Sequence, residues 1–267
     1  MNTYYIRVFI RGISENALGL IIYIKNTMPY RYNVLMDEQD KRLYDAIENT
    51  WVVRPPTQAL ATFGVTSVKY YLITTPIYQE LGIKSMVEEA VIREGIVRAE
   101  RPQVVTPHYL MNHEGFGENA EKFLRNLIKE YGPNQPGLMY RYKNDGGDTS
   151  VVSGSVDEVT KRIVEKLDKE NKPLEAVIRG PDDLWDVSLM KFIYELTARS
   201  AHLNANEMRS HGLLDMEANV PRDAHRRIDL MFVEAQKGNL EPKEIHKELQ
   251  RWDLFDEYQD KFLQLFK

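Results

Sequence analysis

Three aspartates in the second half of the chain have a spacing that suits metal binding. Asp182, Asp183 and Asp186 lie in the sequence DDLWD. Carboxylates at positions i and i+4 share one face of a helix, where their oxygen atoms can ligate a hard cation such as Mg²⁺. Acidic residues after a proline are also typical of a helix N-terminus, because they accept hydrogen bonds from its unpaired N–H groups. The segment therefore predicts a helix that begins within two residues of Asp182, with a capping or a metal-binding role for its acids.

The DDLWD motif resembles the DDxxD sequence by which prenyl-diphosphate synthases and terpene cyclases hold magnesium and diphosphate. The resemblance covers five residues. A second acidic set, Asp256, Glu257 and Asp260, lies near the C-terminus. Apolar residues such as Phe262 occupy its opposite face, so a solvated helix surface is the alternative there. The resemblance implies a metal-assisted enzyme that acts on a phosphorylated or diphosphate substrate, with a divalent cation such as Mg²⁺ as cofactor.

A second group of reactive side chains follows a predicted strand and contains Thr106, His108, His113 and Glu114. A neutral imidazole can act as a base or a metal ligand, and a carboxylate can orient it. His113 and Glu114 are therefore the candidate catalytic residues. The two histidines are five residues apart and do not share a helix face as in the HExxH motif, so ordinary loop histidines are the alternative.

Three arginines are candidate ligands for an anion. Arg179 ends a predicted strand just before a helix, and guanidinium groups and helix N–H groups both bind phosphate. Arg222 and Arg226 lie four residues apart on another predicted helix. Their alternative role is to form surface ion pairs with Asp223 or Asp229. A nucleic-acid-binding module that uses Arg222, Arg226 and Arg227 is the third function considered.

The C-terminal segment is rich in large apolar side chains, and Trp252, Phe255 and Tyr258 are the candidate partner-binding residues. Aromatic groups of this size bury a large area, and an amphipathic helix can dock into a groove on a partner. The alternative is that the segment closes the protein's own core. Because every catalytic motif has a structural alternative, the sequence favours a non-catalytic assembly or partner-binding protein, whose partner is another protein or a second copy.

The amino-acid composition further narrows the classes of protein to which this chain could belong. The hydrophobic share of 43% and the charged share of 28% are typical of globular proteins. The chain has no cysteine, which excludes disulfides and thiolate nucleophiles. It also has no long apolar run and no secretory signal, so we expect a cytoplasmic location and no membrane. From Pro181 onward there are 17 acidic and 12 basic residues, which disfavours nucleic acid as a partner.

The predicted elements place these residues in an α+β or α/β fold. Strands and helices alternate up to Arg179, and helices alone are predicted beyond Pro181. This pattern divides the chain into a mixed domain, 36–180, and a helical region, 181–267. The predicted elements that matter most are the strands Val68–Thr74 and Leu174–Ile178, a hairpin of Leu138–Tyr142 with Ser150–Ser153, and the helices Lys84–Arg93, Glu118–Tyr131, Val156–Glu170, Asp183–Ser200 and Asn204–His211.

Residues 1–35 differ in composition from the rest. They contain one acidic residue, Glu15, and four basic ones, and an acidic helical segment begins at Met36. Two interpretations stay open: these residues form an edge hairpin, or Met36 is the natural start and the leader is translated upstream sequence. A chain that begins at Met36 tests them, because an unchanged melting temperature would show that the leader adds nothing to the fold.

Overall fold

The computed structural model of the protein describes residues 5–14, 17–25, 38–80, 88–113 and 118–266. Strands and helices are both abundant in these residues, so the predicted α+β class is confirmed. The strands are β1 (Tyr5–Ser14), β2 (Ala17–Lys25), β3 (Trp51–Arg54), β4 (Thr66–Thr74), β5 (Glu89–Ala99), β6 (Gln103–Val105), β7 (Gly137–Ser153), β8 (Glu175–Arg179), β9 (Met216–Glu217) and β10 (Val220–Pro221). The helices are α1 (Glu38–Glu48), α2 (Ile77–Glu80), α3 (Pro107–Met111), α4 (Glu118–Tyr131), α5 (Val156–Lys169), α6 (Trp185–Ser210), α7 (Arg222–Gln236), α8 (Pro242–Arg251) and α9 (Phe255–Leu263), followed by a short 3-10 helix, Gln264–Phe266.

Contacts within the chain divide it into two compact units. Among the residues that the structure describes, unit one contains 5–14, 17–20, 24–25, 38–80, 88–101 and 140–204, and unit two contains 21–23, 102–113, 118–139 and 205–266. Pro181, where the pattern of predicted strands and helices places a domain boundary, lies inside unit one. The predicted domain ranges, 36–180 and 181–267, stay predictions. Met36 lies outside the described residues.

Unit one is built on a mixed sheet with the strand order β1-β2-β7-β5-β4-β8-β3. β4 pairs antiparallel with β5 along its whole length and parallel with β8 from Lys69 to Ile73. Alternate residues of β4 point to opposite faces of the sheet. α5 covers one face, where Ile73 of β4 packs with Val159 and Leu167. α6 covers the other face, where Tyr142 of β7 hydrogen-bonds with Thr197.

The helix that covers the first face has a complete N-terminal cap. Ser155 Oγ accepts the N–H of Glu158, and the Glu158 carboxylate accepts the N–H of Ser155. This capping box satisfies donors that a helix end leaves unpaired. The cap, with the apolar stripe behind it, confirms the predicted helix: α5 ends at Lys169, one residue before the predicted end.

Three predicted elements are wrong. The described part of the predicted helix Lys84–Arg93 lies in β5, which begins at Glu89. The predicted hairpin, with its turn at Asn144–Asp148, is one continuous strand, β7. Its pairing with β5 shifts register beside Gly146, so the glycines form an irregularity within a strand instead of a turn. The two helices predicted on either side of residues 201–203 are one helix, α6, which begins at Trp185, three residues after Asp182.

Unit two is mainly helical. β6 pairs antiparallel with the first residues of β7, and α7 packs against β6 and α8. α8 in turn packs against α9. The core contains Ile228 and Phe232 of α7 and Ile245 and Leu249 of α8, all of them buried. α4 has the bounds predicted from sequence.

Gly95 provides a test of the sheet packing. A β-carbon at this position would lie 2.8 Å from Cε1 of Tyr70, a fully buried side chain on the neighbouring strand β4. We expect Gly95→Ala to lower the free energy of unfolding by about 1 to 3 kcal/mol, because the ring has no space to move into. Gly146→Ala, where the added carbon meets open space, is expected to cost less than about 0.5 kcal/mol. Urea unfolding measures both, and equal costs would contradict the packing described.

Candidate functional site

The C-terminal ends of β4 and β8 lie side by side, because the two strands are parallel neighbours. β8 ends at Arg179, and the N–H of Gly180 donates to the Ile73 carbonyl of β4 at 3.4 Å. In open sheets, ligands bind in the crevice outside the carboxyl ends of parallel strands. This edge is therefore the candidate functional site of unit one.

An open depression with a volume of about 360 Å³ lies at this edge. Arg179, which the sequence predicts to bind an anion, is part of the wall of this depression. Arg179 Nη1 contacts Asp157 Oδ1 at 2.5 Å, and the Asp157 side chain is 80% exposed. Trp51, which is 56% exposed, adds an aromatic face. The lining residues are Asn49, Trp51, Ile73, Thr75, Val156, Arg179, Gly180 and Pro181.

Asp182, the first of the three aspartates, is held by a neighbouring cation. Arg93 Nη1 contacts Asp182 Oδ1 at 2.5 Å, and both side chains are largely buried. The hydroxyl of Thr74 donates to the same oxygen at 2.5 Å. The Arg93 guanidinium also lies 5.8 Å from the ring centroid of Trp185. The charge of Asp182 is therefore balanced within the protein.

The other two aspartates have different partners. Asp183 contacts Arg42 of α1 at 3.0 Å, and Asp186 accepts the N–H of Val187 at 3.0 Å. In the part of the chain that the structure describes, no group of three or more His, Asp or Glu side chains is placed to hold a metal ion. A metal site at Asp182, Asp183 and Asp186 stays a prediction.

Neither Arg93 nor Trp51 is predicted from the sequence as a functional residue. Arg93 falls in a segment that the sequence assigns to a helix, and Trp51 is the last residue of the helical segment predicted to begin at Met36. Both lie in strands whose positions depend on pairing with residues far along the chain. The sequence gives one indication of where the site lies. Val68–Thr74 and Leu174–Ile178 are both predicted strands, and the ends of strands mark a possible site.

The predicted histidine cluster lies in unit two, around the short helix α3. Thr106 caps this helix by accepting the N–H of Tyr109. His108 Nε2 lies 2.7 Å from Asp253 Oδ2, and both side chains are exposed. The His113 ring packs edge-on against Tyr109, with the centroids 6.3 Å apart. Glu114 lies outside the described residues, so a catalytic role for His113 and Glu114 stays a prediction.

The aromatic segment contributes to the core of unit two. Trp252 is 3% exposed, its ring centroid lies 4.5 Å from that of Tyr109, and its Nε1–H donates to Glu248. Phe255 and Tyr258 are half-buried and pack against other aromatic rings. Burial raises the pKa of Tyr258 to about 12. Trp252 therefore fits the alternative role predicted for this segment, closure of the protein's own core. Partner binding by Phe255 and Tyr258 stays a prediction.

The arginines of α7 have different environments. Arg222 Nε contacts Glu217 Oε1 at 2.8 Å, and not the expected Asp223. Asp223 is fully buried and contacts Arg227 instead. Arg226 is exposed. Anion binding by Arg222 and Arg226 stays a prediction, and the charge of Arg222 is already balanced by a carboxylate.

Arg227, which the sequence predicts as a nucleic-acid contact, is the centre of a buried charge network that the sequence does not predict. Its guanidinium contacts Glu248 at 2.8 Å and Asp223 at 3.2 Å. Asp223 also accepts the N–H of Val104 at 3.0 Å, and Glu248 accepts the hydroxyl of Tyr109 at 3.1 Å. Burial by itself raises the pKa of Glu248, but the charge and hydrogen bond of Arg227 lower that pKa overall. The sequence signal was the i, i+4 spacing of Asp223 and Arg227, which is also typical of surface pairs.

The network gives a pH-dependent prediction. Glu248→Gln is expected to lower the free energy of unfolding by about 2 to 4 kcal/mol at pH 7, because it leaves a buried guanidinium poorly compensated. The folded-state pKa of Glu248 is lower than its unfolded value of about 4.3, so its contribution is complete above that value and is lost as the pH falls through the folded pKa. The difference between protein and variant should therefore shrink below about pH 4.

Urea unfolding between pH 7 and pH 3 measures this difference. The matched control is Glu244→Gln, which removes an exposed carboxylate from the same helix, where it pairs with Lys247. The control should change the free energy of unfolding by less than about 0.5 kcal/mol. A cost for Glu248→Gln that does not vary with pH would contradict an ionised Glu248.

Comparison of the chain with protein-family models, curated proteins and solved structures gives no match. In the described residues, no helix is both long enough and apolar enough to cross a membrane.

Proposed function

We propose that the protein is a non-catalytic assembly protein that self-associates through an exposed apolar face of α1. The proposal is carried by Leu43, Tyr44 and Ile47, which are 37%, 52% and 41% exposed. Residues three or four positions apart share one side of a helix, so these side chains form a single surface, the α1 face. Contiguous exposed apolar groups mark sites of protein–protein interaction.

The α1 face is held firmly in unit one by α6. Lys191 Nζ donates to the Ile47 carbonyl at 2.9 Å, close to the C-terminal end of α1. Met190 and Tyr194, which lie on either side of Lys191 along α6, are also exposed large apolar residues. α6 begins in the helical region that the sequence predicts to bind a partner, so this region also carries exposed apolar side chains.

The charges of α1 favour a second copy as the occupant. Lys41 lies one turn before Tyr44, and Glu48 lies one turn after it on the same side of the helix. In an antiparallel pairing about a two-fold axis midway between Tyr44 and Asp45, Lys41 of one protomer faces Glu48 of the other, and the contact occurs twice. A two-fold interface needs this kind of self-complementary surface. A helix of eleven residues is about 16 Å long, so we expect a weak, reversible dimer.

Two other functions receive less support. A metal-assisted enzyme needs carboxylates that are free to bind a cation, whereas Arg93 balances Asp182. A nucleic-acid module needs uncompensated basic groups, whereas Glu217 pairs with Arg222. The cytoplasm, expected from the sequence, is the proposed location.

A charge exchange tests the two-fold pairing. Lys41→Glu and Glu48→Lys should each raise the dimer dissociation constant by about 3- to 10-fold, because each places like charges opposite one another twice. The double variant restores opposite charges and should regain the affinity of the unchanged protein. Ile47→Glu should raise the constant by more than about tenfold, because it puts a carboxylate in the apolar contact. Sedimentation equilibrium at low salt measures all four proteins.

The control is Lys161→Glu, a charge reversal at an exposed position of α5. It should leave the dimer dissociation constant unchanged. Thermal melting checks that each variant folds. A monomer at all accessible concentrations would overturn the proposal, and so would a dimer that Ile47→Glu leaves intact. Failure of the double variant to recover would show that the pairing is not antiparallel about the midpoint of Tyr44 and Asp45.

A further inference from the structure

Arg179 supplies positive charge to the depression from a fixed position. It is the last residue of β8, and it pairs with Trp51 of β3 on one side and Ile73 of β4 on the other. Its side chain is partly exposed, and its Nη1 contacts Asp157. A guanidinium group has five N–H donors, so this contact leaves donors for a second acceptor. Arg179 can therefore bind an anion that enters the depression.

Trp51 supplies an aromatic surface beside that charge. It is the residue directly opposite Arg179 in the pairing of β3 with β8. Directly opposite residues have their β-carbons about 5 Å apart on the same face of the sheet. An exposed indole offers a face on which a planar ring can stack. A ligand with a ring and an anionic group can therefore contact both side chains at once.

Other parts of the wall suit the same ligand. Val156, the first residue of α5, contributes an apolar side chain to the wall. Thr75 and Asn49 contribute a hydroxyl and an amide to the lining. The volume of about 360 Å³ lies at the lower end of the range of small-molecule sites.

The geometry points to a binding site for a small anion that carries a planar ring, of the size of a nucleoside monophosphate. The ring stacks on Trp51, and the anionic group accepts hydrogen bonds from Arg179. This inference does not depend on self-association, because Arg179 and Asp157 are not part of the α1 face. The site is one of binding, and no covalent step is assigned to it.

Asp157 regulates access to Arg179. Its carboxylate holds the guanidinium when the depression is empty, and its high exposure means that little stability is lost when the pair separates. An entering anion competes with this carboxylate for the same cation. Removal of the carboxylate's charge should therefore strengthen anion binding, whereas removal of the guanidinium should weaken it. A merely structural ion pair would not give effects of opposite sign.

Isothermal titration calorimetry of the full chain with adenosine 5′-monophosphate tests the inference. Binding is expected with a Kd below about 1 mM. Adenosine and inorganic phosphate should each bind at least about tenfold more weakly, since each makes one of the two contacts. Arg179→Gln and Trp51→Ala should each weaken binding of the monophosphate by about tenfold or more. Asp157→Asn should strengthen it by about 2- to 5-fold.

Arg98→Gln is the matched control, because Arg98 forms an exposed ion pair with Asp145 on the same sheet but does not line the depression. It should leave the Kd unchanged, and thermal melting should show that all variants fold. Binding unaffected by Arg179→Gln would overturn the inference, as would a lack of binding at about 1 mM. Phosphate that binds as tightly as the monophosphate would overturn the role of Trp51, and weaker binding by Asp157→Asn would overturn the role of Asp157.

Discussion

The parallel pairing of β4 with β8 is the constraint on which the rest of unit one depends. Its register, from Lys69 opposite Glu175 to Ile73 opposite Arg179, brings both strands to an end at one edge of the sheet. α6 starts six residues after β8 ends, so its acidic first turn lies near that edge. A slip of one residue would move Arg179 to the other face of the sheet, away from the depression. The register of the strands therefore determines which side chains lie at this edge of the sheet.

Unit two depends on a different interaction, a buried network of charged side chains. Arg227 lies among apolar helices, and it is compensated by Asp223 on its own helix and Glu248 on α8. Buried ion pairs often contribute little net stability, but the loss of one partner is costly. The geometry of such contacts is also narrow, since both carboxylates must reach one planar group. The network therefore favours one arrangement of α7 and α8. Apolar packing alone would specify that arrangement less strictly.

The elements that were predicted correctly have local signals. α4 has an apolar stripe and a glycine stop, and α5 has a capping box, so their bounds follow from neighbouring residues. The first part of β5 and the middle of β7 were predicted wrongly, because cross-strand pairing outweighs the helical periodicity near Arg93 and the turn residues near Gly146. The residues of the candidate site also differ in whether their signals are local. Arg179 was predicted because a strand end and a helix start surround it, whereas Trp51 acquires its role only by lying opposite Arg179 on another strand.

The three tryptophans have environments that differ enough to act as separate optical reporters. Trp51 is exposed and Trp185 is half-buried, both in unit one, whereas Trp252 is buried in unit two against Tyr109 and Glu248. Exposed and buried indoles emit at different wavelengths and differ in their access to a soluble quencher. Fluorescence of the unlabelled chain therefore distinguishes the unfolding of unit one from that of unit two. Whether the two units unfold as one cooperative body or in separate steps becomes directly observable.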